Sequence, residues 1–126
     1  MGYYSDIGLA LAVNGVTELH KRLDDMGSNS QTRQDILGFL SSAEHHYTDT
    51  ETKAEVWYWK SVKWYIGDPK YYPEVDFVES MLADLDEDDF RFIRIGDDYD
   101  DTEVRGYFWD NPFDLELARS ITIKAP

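Results

Sequence analysis

The stretch "EVWYWKSVKWY", which runs from Glu55 to Tyr65, is the clearest strand in the sequence. It is dominated by aromatic and β-branched residues, the types that favour a pleated strand. Successive side chains of a strand point to opposite faces of its sheet. The pattern therefore predicts a strand whose two faces are both covered, or one that offers a face to a partner. The predicted faces are Val56, Tyr58, Val62 and Trp64 on one side and Trp57, Trp59 and Tyr65 on the other.

The first strand of the chain is recognised by alternation. Between Tyr3 and Val13, the apolar residues Ile7, Leu9 and Leu11 alternate with glycine and alanine, as is typical of a half-buried strand. The small residues on the second face would let a helix approach closely. Asn14-Gly15 is expected to break the strand.

Helices and further strands follow from the same kinds of pattern. Apolar residues recur at helical spacing in three segments, and the third begins with a proline, which suits the first position of a helix. Alternation and β-branched residues predict the remaining strands. The predicted helices are Val16–Met26, Gln31–Ser42 (a short helix or a turn) and Pro73–Leu85. The predicted strands are Glu44–Thr52, Phe90–Gly96, Glu103–Asp110 and Arg119–Lys124, with an acidic turn, Gly96–Thr102, after the second of these.

This order of elements predicts a single α+β domain over residues 1–126. Strands separated by helices in this way favour an antiparallel sheet with two or three helices on one face. The βαββαβ subset matches a ferredoxin-like arrangement, to which C-terminal strands are added. A chain of 126 residues is long enough to form one domain with its own core.

The composition excludes several kinds of site. The chain has no cysteine, which rules out disulfides, thiolate nucleophiles and zinc–thiolate centres and fits a reducing cytoplasm. The apolar stretch Ile7–Val13 is too short for a signal sequence and far too short to span a bilayer. We therefore expect a cytoplasmic protein without membrane contact.

The negative charge is large and uneven. The net charge is −14, and ten acidic residues but only two basic ones lie between Asp84 and Glu103. Such a surface repels phosphate backbones and anionic lipid. Direct nucleic-acid binding is therefore not expected, whereas a protein partner with a basic surface is.

The residues expected to bind this partner combine carboxylates with aromatics. Carboxylates can take the place of phosphates on a basic surface, and large aromatic side chains anchor protein contacts. The predicted set is Asp84, Asp86, Glu87, Asp88, Asp89, Asp97, Asp98, Tyr99, Asp100, Asp101, Glu103 and Trp109, with Tyr107 and Phe108 as further aromatic anchors. A separate prediction is self-association into a homodimer through Trp57, Trp59 and Tyr65.

Metal and catalytic chemistry find less support in the sequence. The acidic turn offers carboxylates for a divalent cation, but its spacing does not fit the calcium-loop pattern. His45 and His46, with Asp49 and Glu51 nearby, suggest zinc, yet adjacent histidines on a strand point to opposite faces. No nucleophile-elbow, phosphate-loop or dinucleotide motif is present. We predict no catalytic residue, no metal site and no cofactor.

Four segments together resemble a family of small acidic phage and prophage proteins. They are Gly2–Leu11 ("GYYSDIGLAL"), Trp57–Tyr65 ("WYWKSVKWY"), Pro73–Leu82 ("PEVDFVESML") and Phe90–Glu103 ("FRFIRIGDDYDDTE"). The stretch Ile66–Tyr72 and the tail after Glu103 are additional to that pattern. The resemblance implies a viral origin and a location in the host cytoplasm, and it supplies no catalytic residues.

Three functions are open at this point. The first is a non-enzymatic inhibitor that binds a host defence or nucleic-acid-processing protein through a carboxylate-rich face that mimics nucleic acid. The second is a homo-oligomeric structural or scaffold module whose acidic surface keeps it soluble. The third is a module that binds a divalent cation.

Overall fold

The computed structural model describes residues 2–98, 100–108, 110–117 and 121–126 of the chain, with only the backbone of Glu116 and Thr122. Its helices are α1 (Val13–Asp25), α2 (Gln31–Ser41) and α3 (Pro73–Asp84), and a 3₁₀ turn covers Glu87–Asp89. The strands are β1 (Ser5–Leu11), β2 (His45–Thr48), β3 (Glu55–Val62), β4 (Phe90–Gly96), β5 (Thr102–Arg105), β6 (Glu116–Leu117) and β7 (Ile121–Thr122).

Five strands form one antiparallel sheet in the order β2-β3-β1-β4-β5, and β6 pairs with β7 in a separate hairpin. With α1 and α2 between β1 and β2, and α3 between β3 and β4, the first four strands have ferredoxin-like topology. β5 extends the sheet at the β4 edge. The prediction of an α+β fold with an antiparallel sheet and helices on one face is therefore confirmed.

The main core lies between the sheet and the helices. β1, β3 and β4 each direct alternate apolar side chains toward the helices, which cover them with one amphipathic face each. The indole of Trp59 stacks on the ring of Phe39 from α2 at 4.4 Å and donates a hydrogen bond to the Phe39 carbonyl at 2.9 Å. The buried members from the sheet include Ile7, Leu9, Leu11, Trp57, Trp59, Phe90 and Phe92.

A β-bulge in β3 changes the predicted faces of that strand. β1 advances two residues between Ile7 and Ser5, while β3 advances three between their partners Trp59 and Val62. The extra residue is accommodated at Ser61, whose φ is 56° and whose N–H donates to Asp6 Oδ1 at 2.9 Å. Because one added residue reverses the alternation beyond it, Val62 and Trp64 pack in the helix-side core. Their predicted assignment to the opposite face is wrong.

The second face of the sheet is covered by the C-terminal segment. Phe113, Leu115 and Ile121 pack on a flat patch formed by Ala10, Ala54, Val56 and Ile93, and all seven are buried. At Gly8, an added Cβ would lie 3.0 Å from Leu115 Cδ1 and from Ile121 Cγ2. The small residues of β1 do allow a close approach, but of this segment and not of the helix that the sequence suggested. The two-faced strand β3 is thus covered on both faces.

Most element boundaries agree with the sequence, and the exceptions have local causes. β4 has the predicted bounds, and Pro73 occupies the first turn of α3 as expected. α1 begins earlier than predicted, at Val13, so Asn14-Gly15 lies within the helix. β5 stops at Arg105, because Gly106 turns the chain with a φ of 87°. Of the last predicted strand only Ile121–Thr122 is seen, and Arg119 lies outside the described residues.

Candidate functional site

The predicted acidic face is divided between the two ends of β4. The segment Asp84–Asp89 precedes the strand, and the acidic turn follows it. Seven residues of extended chain separate the two groups, a span of roughly 20 Å at about 3.3 Å per residue. The predicted acidic residues therefore form two separate groups, because the strand that joins the two acidic segments in sequence holds them apart in space.

The acidic turn is held by the N-terminal residues of the chain. The Tyr3 hydroxyl donates to Asp101 Oδ2 at 2.5 Å, and the Tyr4 N–H donates to Asp97 Oδ2 at 2.8 Å. The Asp98 N–H in turn donates to the Tyr3 oxygen at 3.0 Å. Two of the predicted partner-binding carboxylates, those of Asp97 and Asp101, thus serve the fold.

Charge pairing with Arg94 fixes the protonation state of Asp101. The guanidinium of Arg94 lies 2.7 Å from Asp101 Oδ1. This hydrogen bond and that of Tyr3 lower the pKa of Asp101 to about 2, and the Asp101 carboxylate raises the pKa of Arg94. The hydrogen bond to Asp101 also raises the pKa of Tyr3. The carboxylate is therefore charged and internally paired at neutral pH.

The internal network continues along the β5 edge to α3. Glu103 pairs with Arg94 at 3.1 Å and with Arg105 at 3.0 Å. Arg105 also binds Glu79 of α3 at 2.7 Å, and Glu79 accepts a hydrogen bond from the Trp64 indole at 3.0 Å. Glu103 is therefore part of a structural network, although the sequence placed it in the partner-binding set.

Asp98 and Asp100 stay exposed on the acidic turn. Asp86–Asp89 form what we call the acidic corner. Asp86 caps the 3₁₀ turn through a bond from the Asp88 N–H to its Oδ1 at 3.0 Å. The backbone is tied on both sides, since Ala12 N–H donates to the Asp89 carbonyl at 2.9 Å and Tyr107 N–H to the Glu87 carbonyl at 2.6 Å. The corner therefore holds three exposed carboxylates on a backbone with fixed geometry.

Asp84 lies beside the acidic corner at the end of α3. Its carboxylate binds Arg22 of α1 at 2.6 Å while keeping two-thirds of its side-chain surface exposed. Arg22 also pairs with Glu18 one turn earlier, at 2.7 Å. The hydrogen bond from Asp84 raises the pKa of Arg22. Asp84 thus links two helices and contributes less free charge to the surface than its exposure suggests.

A cleft opens directly beside the acidic corner. Its volume is 440 Å³, and it lies between the end of α3 and the β5 edge. Tyr107 is 53% exposed and Val104 is 40% exposed at its rim. The lining residues are Leu82, Ala83, Leu85, Glu87, Phe90, Val104, Arg105, Gly106 and Tyr107. The sequence singled out Tyr107 but did not indicate the cleft, because the residues that form it come from four separate elements.

Gly106 makes the cleft possible. An added Cβ there would overlap the carbonyl oxygen of Phe90, and the φ of 87° is one that other residues rarely adopt. Because the chain approaches β4 closely at Gly106, the two residues that follow can form hydrogen bonds. The Tyr107 N–H donates to the Glu87 carbonyl in the acidic corner, and the Phe108 N–H donates to the Phe90 carbonyl of β4 at 3.1 Å. Gly106 lies within the predicted strand Glu103–Asp110, and a glycine inside a strand pattern is the one sequence signal that could have indicated this turn.

The other predicted site residues are placed differently. Trp57 and Trp59 are 3% and 1% exposed beneath the helices, so their rings do not form a surface for self-association. Tyr65 is half-buried and accepts a hydrogen bond from the Tyr3 N–H at 2.7 Å. Tyr99 and Trp109 lie outside the described residues, and Phe108 packs against the core of the second face.

The histidines on β2 confirm the predicted opposite orientations. His46 stacks on Trp57 at 4.7 Å and lies 2.7 Å from Glu55, while His45 stacks on Tyr58. Within the described ranges, no group of three or more His, Cys, Asp or Glu side chains is arranged to hold a metal ion.

Comparisons with known proteins place the chain in no family. No family model, no curated protein and no solved structure matches it. Among the described segments, no helix combines the length and apolar character needed to cross a membrane.

Proposed function

We propose that this protein is a non-enzymatic binding module that engages a basic surface of another protein through the acidic corner and its cleft. One observation carries the proposal. Exposed carboxylates on a rigid 3₁₀ turn border a 440 Å³ cleft that has a mixed apolar and polar lining and an exposed tyrosine at its rim.

The two parts of this surface have different physical roles. Carboxylates of Glu87 and Asp88 attract a cationic partner and speed its association, but such exposed charges add little affinity by themselves. The cleft supplies what charge cannot, since a side chain that enters it is desolvated and packs against Leu82, Leu85 and Phe90. A lysine or arginine segment next to an apolar residue is the partner chemistry that fits both parts.

The fixed backbone supports tight binding. The corner is tied to α1 through Ala12 and to the chain after β5 through Tyr107, so little conformational entropy is lost when a partner binds.

The negative charge of the corner also indicates what kind of partner it suits. Rigid carboxylates suit a surface that ordinarily binds phosphate groups, and we include host nucleic-acid-processing and defence proteins among the proposed partners.

The sequence offered two alternatives, which have less structural support. Self-association through Trp57 and Trp59 would require the helices to move off the sheet, because both rings are buried. A cation site in the acidic turn would compete with Arg94 and Tyr3, which already bind Asp101.

Matched charge changes at the two ends of β4 test the proposal. The Glu87→Gln, Asp88→Asn variant removes two charges at the corner, and Asp98→Asn, Asp100→Asn removes two at the acidic turn. Each protein is used to capture basic proteins from a cell lysate, and captured partners are then titrated at about 50 mM and about 300 mM salt. We expect the corner variant to associate more slowly, to bind about threefold to tenfold more weakly and to show a flatter salt dependence. Equal losses in both variants would contradict a site at the corner.

A further inference from the structure

The five-stranded sheet ends in an open edge at β5. In the described part of the chain, β5 pairs with β4 alone and is the last strand of the sheet. Its edge runs beside the cleft, which Val104 and Arg105 line on this side and Leu82 and Leu85 line at the end of α3. An edge strand presents N–H and C=O groups to which a further extended segment can bond. The edge therefore adjoins the surface to which the proposed function assigns partner binding.

The hydrogen-bond pattern of the hairpin shows which backbone groups of β5 point outward. The Gly96 N–H donates to the Asp101 carbonyl at 2.8 Å, so these residues form a hydrogen-bonded pair of the antiparallel ladder. Because such pairs alternate with non-bonded ones, the register of β4 and β5 directs the N–H and C=O groups of Thr102 and Val104 away from β4. The Thr102 N–H accordingly donates to the Asp100 carbonyl in the turn, at 3.1 Å. Val104, which is 40% exposed, thus offers one donor and one acceptor at the edge.

The side chains of β5 leave this edge accessible. Strand edges are often protected by proline or lysine, and β5 contains neither. Its two charged side chains are engaged within the fold, since Glu103 pairs with Arg94 at 3.1 Å and the Arg105 guanidinium lies 4.4 Å from the centre of the Phe92 ring. An added strand would therefore lie beside charges that are already compensated.

The charge at both ends of β5 indicates what kind of segment would bind there. The exposed carboxylates of Asp98 and Asp100 lie in the turn before the strand. Those of Glu87 and Asp88 lie beyond its other end, where the Tyr107 N–H donates to the Glu87 carbonyl at 2.6 Å. Two copies of the chain joined antiparallel through β5 would place the acidic corner of one beside the acidic turn of the other, and like charges would repel. A basic segment meets no such opposition.

We propose that an extended basic segment of the partner adds to β5 as a sixth strand of the sheet. The inference rests on the proposed function and specifies how the partner binds. Backbone hydrogen bonds to Val104 hold the segment, and its side chains reach the cleft and the acidic corner. In recognition of this type the main chain supplies affinity, and pockets for alternate side chains supply specificity.

The pleat of the sheet determines which side chains of the added strand reach the cleft. Val104 lies opposite Ile93, which is buried in the core of the second face, so a residue bonded to Val104 also points to that face. Its neighbour opposite Arg105 points to the helix side, where the cleft separates β5 from α3. One residue further along, the segment passes Gly106 and reaches the acidic corner. In an antiparallel orientation, the expected order from the N-terminus of the segment is basic, apolar and then β-branched.

A capped peptide, acetyl-Lys-Lys-Leu-Val-Thr-Val-amide, has this order and serves as the probe. We expect it to bind with a dissociation constant below about 1 mM. In nuclear magnetic resonance, hydrogen exchange at the Val104 N–H should slow by about tenfold or more at saturating peptide, because this group becomes hydrogen-bonded. A contact made by charge alone at the corner would leave that exchange rate unchanged.

A modified peptide is the matched control for the probe. An N-methyl group on its first valine keeps the charge and the side chains, but it removes the donor that faces Val104 and places a methyl group against the edge. This peptide should bind about tenfold more weakly than the probe.

A pair of variants at Val104 tests the backbone bond from the protein's side. Val104→Pro removes the outward N–H and spares the bonds to β4, and proline is accepted at such a position of an edge strand. Val104→Thr keeps the N–H and a β-branched side chain. Val104→Pro should weaken binding of the peptide by about tenfold, and Val104→Thr by less than about twofold. Urea denaturation establishes that each variant is folded, and the exchange measurement on the parent protein depends on neither.

The results separate this inference from the proposed function. Unchanged exchange at Val104 in the bound state, equal binding by Val104→Pro and Val104→Thr, or a dissociation constant above about 1 mM would overturn strand addition and leave the proposed function standing. Exchange at Val104 that slows with rising protein concentration in the absence of peptide would assign the edge to a second copy and would also overturn it. If the strand forms but Glu87→Gln, Asp88→Asn binds the peptide as tightly as the parent does, the proposed function is contradicted, and with it the basic character of the segment.

Discussion

Arg94 on β4 holds the carboxylate of Asp101 with two hydrogen bonds, 2.7 Å from Nη2 to Oδ1 and 3.0 Å from Nη1 to Oδ2. The same carboxylate accepts the Tyr3 hydroxyl. The acidic turn is therefore joined to β4 and to the N-terminal segment by one side chain. Asp101 belongs to the architecture of the hairpin, in contrast to the exposed carboxylates of the acidic corner.

The first prediction concerns acid stability. The pKa of Asp101 is lowered from 3.8 to about 2 by Arg94 and Tyr3, so the unfolded chain takes up this proton at a higher pH than the folded one. The stabilisation is fully present above pH 4 and is lost as pH falls toward 2. Asp101→Asn should therefore lower the urea midpoint at neutral pH, and its difference from the parent protein should shrink below pH 4.

Asp100→Asn is the matched control for this measurement. It makes the same chemical change one residue away, on an exposed side chain of the same turn. Its urea midpoint should follow that of the parent at every pH. A constant difference between Asp101→Asn and the parent from pH 7 to pH 2 would refute the assigned role of the ion pair.

The second prediction concerns Glu79, which accepts hydrogen bonds from Trp64 and Arg105. Glu79→Ala leaves both donors without this acceptor, and the free energy of unfolding should fall by about 2 to 3 kcal/mol. Glu18→Ala removes a carboxylate that pairs with Arg22, but Arg22 keeps its second partner, Asp84. This variant should lower the free energy of unfolding by at most about 0.5 kcal/mol. Chemical denaturation measures the free energy of unfolding of both variants. Similar losses in the two would mean that the ion-pair network along β5 contributes little to stability.

The sequence was sufficient to predict the order of the elements and the antiparallel sheet, but it placed a helix against the wrong face of β1. Alternation of Ile7, Leu9 and Leu11 and the proline at the start of α3 are local signals, and both were read correctly. The bulge at Ser61 was not predictable in this way. It depends on the pairing of β3 with β1 and on a bond to Asp6, neither of which leaves a mark in the local pattern.

The sequence predicts the candidate site only in part, because residues that are close along the chain need not be close in space. The acidic segments before and after β4 are close along the chain, yet the extended strand separates them. Conversely, Leu82, Phe90 and Tyr107 are distant in sequence and line one cleft. Such a cleft depends on tertiary packing, which periodicity does not report.

The third prediction tests the covering of the second sheet face. Gly8→Val would place methyl groups where Leu115 and Ile121 already lie, and overpacking of this kind should destabilise the protein by about 1 to 3 kcal/mol. The C-terminal segment should also become more accessible to proteolysis. Gly38→Ala provides the control, since its Cβ meets nothing and the substitution should stabilise α2 by about 0.5 to 1 kcal/mol. Unchanged stability of Gly8→Val would show that the segment packs less closely than described.

The fourth prediction links the acidic corner to its turn. Gly106→Ala combines a left-handed backbone with an overlap between Cβ and the Phe90 carbonyl, and we expect a loss of about 3 kcal/mol or more. Gly67 has a nearly equal φ of 88°, but a Cβ added there would have no atom within 4 Å. Gly67→Ala should therefore lower the free energy of unfolding by only about 1 to 2 kcal/mol.

The difference between these two variants isolates the contact of Gly106 with β4. In thermal unfolding, Gly106→Ala should have the lower midpoint, and hydrogen exchange should quicken at the Tyr107 N–H, which bonds to the Glu87 carbonyl. Because this bond ties the acidic corner to the chain after β5, partner capture should weaken in Gly106→Ala even at temperatures where the protein is folded. Equal midpoints for the two variants would indicate that the close approach at Gly106 contributes nothing beyond its backbone angle.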